Sequence, residues 1–221
     1  ESIEASFLSI FALISFFIFL IVSKYSHKIK GGALLDKDFL KPQAFHDQPV
    51  TRSGGVAIII SLSIFFVIYY LLYSKILYNY IFISYSMFLV GFLDDLKINI
   101  KPFSRLIIMV LLLFLIIYIL PIKISNIDIP LIVPLMSSHI FSSLFVLLCF
   151  LFIINGANLI DGFNGLLAIN LIIINIILTY INMNNNNLEF SILLISQIII
   201  LLSFLLFNFP SAKIFLGDSG A

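Results

Sequence analysis

Seven stretches of this 221-residue chain contain no Asp, Glu, Lys or Arg: 5–23, 53–74, 76–93, 106–122, 129–160, 162–188 and 190–212. A helix needs roughly 17–25 apolar residues to cross about 30 Å of hydrocarbon, and every run reaches that length or exceeds it where a connection is included. Seven such runs cannot all be buried inside one soluble core. The composition agrees, because 62% hydrophobic and 10% charged residues lie far from the roughly 45–50% and 25% of soluble chains. The expected fold is therefore all-α, a polytopic membrane helical bundle with about seven transmembrane helices forming a single transmembrane domain over 1–221.

A formal charge of +1 gives no reason to expect a nucleic-acid partner, and no Lys/Arg cluster is interleaved with aromatic rings for base stacking. Cys149 is the single cysteine, which excludes a disulfide framework and a cysteine-based metal site. The first apolar run is preceded by Glu1 and Glu4 rather than by basic residues, so it reads as a first span and not as a cleaved signal. A chain that begins at Glu1 and stops at Gly220-Ala221, directly after a motif, is expected to be a fragment.

Placing spans at 5–23, 54–73, 77–93, 106–122, 140–157, 166–183 and 189–207 sorts the connections between two faces. One face receives Lys24, Lys28, Lys30, Lys37, Lys41, Arg52, Lys97, Lys101, Arg105 and Lys213, ten cations, and the other receives only Lys75 and Lys123. The positive-inside rule makes the first face cytoplasmic and puts the N-terminus outside. The same alternation carries Asp94, Asp95, Asp161 and Asp218 to the cytoplasmic boundary, because each follows an odd-numbered span. Extracytoplasmic connections hold little chemistry, and His139, at the start of one helix there, reads as structural.

Four segments on that face could carry chemistry. The first loop ends Phe45-His46-Asp47-Gln48-Pro49-Val50-Thr51-Arg52-Ser53-Gly54-Gly55. A glycine pair at a helix start lets backbone N–H groups approach an anion, while Arg52 and His46 suit phosphate oxygens; the competing reading is charge anchoring and a helix entry. Gly91-Phe92-Leu93-Asp94-Asp95-Leu96-Lys97 places two acids at a helix C-terminus, against the macrodipole and next to lipid, where a merely solvated end is the alternative. Asn155-Gly156-Ala157-Asn158-Leu159-Ile160-Asp161-Gly162-Phe163-Asn164-Gly165 interrupts a long apolar tract with irregular, oxygen-rich chain, which membranes tolerate where a polar cavity is lined. The last segment, Phe207 to Gly220, sets Asp218 between Gly217 and Ser219-Gly220, with Lys213 as a phosphate contact and Phe215 as a flat face for a base. Oxygen ligands without paired His or Cys favour Mg²⁺, with Mn²⁺ as the alternative, and cations beside them point to diphosphate chemistry.

In this order the four segments resemble the polyprenyl-phosphate N-acetylhexosamine-1-phosphate transferases, glycosyltransferase family 4, which also contains the phospho-N-acetylmuramoyl-pentapeptide translocases. The resemblance implies Mg²⁺-dependent transfer of a sugar 1-phosphate from a UDP-N-acetylhexosamine to a polyprenyl phosphate such as undecaprenyl phosphate, at the cytoplasmic face of the bacterial inner membrane, with release of UMP. It implies that Asp218 is a metal ligand, that Asp94, Asp95 and Asp161 are catalytic, and that Asn158, Phe215, Asn164, His46, Arg52 and Lys213 bind nucleotide or substrate. It allows a homodimer. Two departures stand out: Asn164 replaces a frequent second Asp, and the first loop carries His-x-x-Pro-x-x-Arg-x-Gly-Gly in place of the translocase's Lys-x-Gly-Thr-Pro-Thr-Met-Gly-Gly. The second directs the expectation to the O-antigen, capsule or teichoic-acid branch. The family's later His-rich loop and remaining spans are expected beyond Ala221. The alternative from another class is a transporter or ion pathway that uses the intramembrane acids.

Overall fold

The computed structural model describes residues 2–31, 34–36, 49–96, 102–120, 122, 124, 127, 129–130 and 132–220. These residues form an all-α architecture: α1 (Ser2–Tyr25), α2 (Gly54–Tyr73), α3 (Tyr78–Asp95), α4 (Pro102–Ile119), a single turn α5 (Val133–Met136), α6 (His139–Ile160), α7 (Leu166–Asn184) and α8 (Leu188–Asn208). Five helical stretches among the described residues are long and apolar enough to cross a membrane: Glu4–Lys28, Gly54–Tyr73, His139–Ile160, Leu166–Asn184 and Leu188–Asn208. The sequence expectation of about seven spans is thus met in full by five. The other two correspond to α3, whose face is diluted by Tyr, Ser and Asn, and to the shorter apolar helix Phe103–Ile119.

The chain divides into two compact units, 1–98 with 160–221, and 99–159. In the first, α1 lies against α2 through Phe7 and Phe11, whose rings sit 6.0 and 5.6 Å from that of Phe65. Further along α1, Phe19 meets Phe204 and Phe207 of α8 at 6.2 and 6.4 Å. Phe11, Phe19, Phe65 and Phe204 are fully buried. Lipid tails are as apolar as these rings, so what holds the helices together is close packing and hydrogen bonding rather than water exclusion. One such bond ties α7 to α8, Asn175 Nδ2 donating to Gln197 Oε1 at 3.3 Å.

The helix ends of this unit agree with the alternation of faces. At one end Lys75, between α2 and α3, pairs with Glu189 at the start of α8 at 2.5 Å, and the Tyr73 hydroxyl donates to Glu4 at 3.4 Å. The opposite end of α3, the turn before α7 and the stretch after α8 carry Asp94 and Asp95, Asp161 and Asp218, and Arg52 stands just ahead of α2. A short antiparallel pair unforeseen from the sequence, β1 (Leu35–Asp36) with β2 (Val50–Thr51), precedes α2. The second unit contains α4, α5 and nearly all of α6. There His139 opens α6, with Nδ1 3.5 Å from Ser143 Oγ, beside a cavity that Ile117 and Met136 also line.

Candidate functional site

A helix start leaves backbone N–H groups without intrahelical partners. At α2 the preceding Ser53 makes no side-chain cap; its hydroxyl is 3.0 Å from Thr51 Oγ1. The segment that follows α8 supplies the acceptors instead. Gly54 N–H donates to the Phe215 carbonyl at 2.9 Å and Gly55 N–H to the Leu216 carbonyl at 2.8 Å, while Phe215 N–H donates back to Thr51 O at 2.8 Å. This corrects the sequence reading of the glycine pair as an anion cradle, because both amides are already engaged by backbone oxygens. The pair allows two backbones to touch: a Cβ on Gly54 would lie 2.7 Å from Phe215 O.

The loop continues through Gly217, whose φ of +76° is a conformation that a side chain would strain, into Asp218 and Ser219. Here α3 takes over. Asp95 Oδ1 accepts the Asp218 N–H and Asp95 Oδ2 accepts the Ser219 N–H, both at 2.9 Å. One helical turn earlier Gly91 leaves room for the Asp218 carbonyl, which a Cβ there would approach to 2.1 Å. Asp95 is 1% exposed, whereas the neighbouring Asp94 is partly exposed. Burial pushes the Asp95 carboxyl up to about 6, against the opposing hydrogen bonds from Ser219 and Asp218.

Arg52, just ahead of α2, reaches the same loop, its Nη1 lying 3.8 Å from Asp218 Oδ2. Asp161, in the turn between α6 and α7, completes the group. Its carboxyl is pushed up to about 7, first by burial and then by the charge of Asp218, with Arg52 opposing and Asp95 adding. The structure therefore brings Arg52, Asp95, Asp161 and Asp218 together from four segments up to 166 residues apart in sequence. Asn164 is tied to the stretch after α8, Nδ2 donating to the Pro210 carbonyl at 3.0 Å. Phe215 is half-buried and Lys213 exposed, the latter fixed through its N–H to Phe207 O at 2.8 Å. Asn158 lies in the last turn of α6, in the second unit. His46 lies outside the described residues.

Thr51, Gly91 and Gly217 lie inside the segments that the sequence singled out, but the sequence did not show their task, which is to seat the Asp218 loop by a backbone bond and by close approach. Among the described residues no group of three or more His, Cys, Asp or Glu side chains converges on one metal position. Mg²⁺ does not require one, since it is commonly held by one or two carboxylates together with substrate phosphates and water. Asp218, whose charge acts on the carboxyl of Asp161, fits that donor chemistry.

Residues 76–221 match the family described as glycosyl transferase family 4. The phospho-N-acetylmuramoyl-pentapeptide-transferase of Streptococcus thermophilus (strain CNRZ 1066) is 28% identical over 216 residues, covering 90% of this chain and 62% of that protein. A protein of the same name from Streptococcus uberis is 30% identical, with 89% and 62% covered. One from Leuconostoc citreum is 45% identical over a shorter 67 residues, 30% of this chain and 21% of its own. The chain spans 62% of the length of the curated relatives that it matches along most of its own length.

Proposed function

The chain belongs to glycosyl transferase family 4, and from that premise we propose that the protein transfers an N-acetylhexosamine 1-phosphate from a UDP-sugar to a polyprenyl phosphate. UMP is the second product. The observation that carries the reading is the gathering of Asp218, Asp161 and Arg52 at one end of the helices, around a loop whose backbone is fastened on both flanks. An oxygen of the lipid phosphate attacks the β-phosphorus of the donor; the bond between the two phosphorus groups breaks toward UMP, and a new diphosphate joins sugar to lipid. Such a reaction needs mainly positioning and charge neutralisation.

Each residue then has a task. Asp218 and Asp161 would hold Mg²⁺, or Mn²⁺ in its place, which would supply charge neutralisation for the donor diphosphate. Arg52 and Lys213 direct positive charge toward phosphate oxygens, Phe215 offers a ring to uracil, and Asp94 takes up the proton of the lipid phosphate. Asn164 borders the nucleotide, and His46 belongs to the same basic loop as Arg52. The name of the relatives, phospho-N-acetylmuramoyl-pentapeptide-transferase, supports transfer of a phosphorylated N-acetyl sugar. The first-loop pattern favours an O-antigen, capsule or teichoic-acid glycan, made from a UDP-N-acetylhexosamine such as UDP-N-acetylglucosamine. By its charge asymmetry the site faces the cytoplasm across the bacterial inner membrane. The transporter alternative is disfavoured, because the acids sit at helix ends rather than on broken helices at mid-bilayer.

The test is transfer of radiolabelled sugar into an organic-extractable lipid by the full-length protein in liposomes containing undecaprenyl phosphate, with a panel of UDP-N-acetylhexosamines. The expected product is heavier than the acceptor by one sugar and one phosphate. A product heavier by the sugar alone, or none from any donor, would overturn the proposal.

A further inference from the structure

We propose that Asp95 is a positioning residue rather than a reacting acid: its carboxylate fastens the backbone of the loop that carries Asp218 and so fixes where Asp218 presents its own. The inference deepens the phosphotransferase reading and rests on it for the role of Asp218.

The two adjacent acids have divided environments. Consecutive helical residues point about 100° apart, so the end of α3 turns Asp95 toward the loop after α8 and sends Asp94 elsewhere. Both Asp95 oxygens are engaged, Oδ1 by the Asp218 N–H and Oδ2 by the Ser219 N–H. A carboxylate has further lone pairs, but this one is 1% exposed. A general base must come within hydrogen-bond reach of the proton that it takes, and Asp95 offers no open side for that approach. The loop is shaped to receive it. Gly217, at φ +76°, would place a Cβ 2.7 Å from Asp95 Oδ2, and Gly91 leaves the space that the Asp218 carbonyl fills. On the other flank the carbonyls of Phe215 and Leu216 are bound by Gly54 and Gly55. Backbone groups of residues 215, 216, 218 and 219 are thereby held, which fixes the point from which the Asp218 side chain, 3.8 Å from Arg52, extends. A carboxylate that orients a metal ligand without touching the metal is a common device, and its loss costs roughly 10–100-fold in metal affinity.

The experiment uses the full-length protein in detergent, with Mn²⁺ titrated by electron paramagnetic resonance and amide hydrogen exchange read on the peptide containing residues 214–220. Asp95→Asn should raise the Mn²⁺ dissociation constant and the metal KM by roughly 10–100-fold, change kcat at saturating metal far less, and speed exchange at that peptide. Gly217→Ala, which keeps Asp95 but crowds it, should give the same signature, and it decides the matter if Asp95→Asn fails to fold. Wild-type Mn²⁺ binding and exchange in Asp95→Asn, with kcat alone lost, would overturn the proposal and make Asp95 a reacting group. Asp218→Asn separates the two readings: if it binds Mn²⁺ as wild type does, the metal role of Asp218 fails, while amide exchange in Asp95→Asn still tests the clamp.

Discussion

Replacing Gly91 by Ala adds one methyl group at the place where α3 meets the Asp218 loop. The new Cβ would stand 2.1 Å from the Asp218 carbonyl oxygen, 2.5 Å from its carbonyl carbon and 2.6 Å from Ser219 Cα. Ordinary contact begins near 3.4 Å, so helix and loop must part by more than an ångström. All three neighbours are backbone or Cα, and no side chain can rotate away to absorb the overlap. Overpacking of this kind destabilises by about 1–3 kcal/mol. Displacing Asp218 by about 1 Å should lower turnover by about 10²-fold. Thermal unfolding in detergent reads the first effect and UMP release by the full-length protein reads the second. A Gly91→Ala variant with the melting temperature and turnover of wild type would refute the claim that α3 seats the loop.

Asp218→Asn keeps the shape and removes the charge, and turnover should fall by about 10²-fold or more; near-normal activity at saturating Mg²⁺ would remove Asp218 from the metal site. Phe215→Ala should weaken UDP-sugar binding by about 1–3 kcal/mol, and an unchanged dissociation constant by calorimetry would end the stacking role. Asp161 has its carboxyl raised from 3.8 to about 7, so the folded metal-free protein retains a proton there that the unfolded chain has lost. The stability this contributes is fully present below the unfolded value and is lost as pH rises through about 7. Melting of metal-free wild type should therefore decline relative to Asp161→Asn across that window, and parallel curves would contradict the shift. Lys75→Ala removes an exposed pair with Glu189 and should change stability by no more than about 1 kcal/mol; a larger loss would mean that the pair anchors α8.

The architecture was legible in the sequence because charge is so costly in hydrocarbon that its absence marks each span. Alternation of faces then followed from counting, and the pairing of Lys75 with Glu189 at one end and of Arg52 with Asp218 at the other agrees with it. Which face of each helix packs was not legible, because apolar residues stand on every side of α1 and α8, so that the buried set Phe7, Phe11, Ser15 and Phe19, spaced by four, does not stand out from its neighbours. The acids could be assigned to one end, but their division of labour could not. Asp94 and Asp95 are the same residue type side by side, and only a partner 123 residues away distinguishes them. Gly54 and Gly55 were misread for a related reason. A glycine pair at a helix start suits an anion and a close backbone neighbour equally well, and the carbonyls that occupy it come from the far end of the chain.

The nucleotide released by the full-length protein tests the central claim most directly. With undecaprenyl phosphate, Mg²⁺ and the accepted UDP-N-acetylhexosamine, chromatography should show UMP, formed in step with lipid-linked sugar and only when both lipid and metal are present. Release of UDP instead would mean that sugar moves without its phosphate, and lipid-independent release of UMP would mean hydrolysis; either result would contradict transfer of a sugar 1-phosphate.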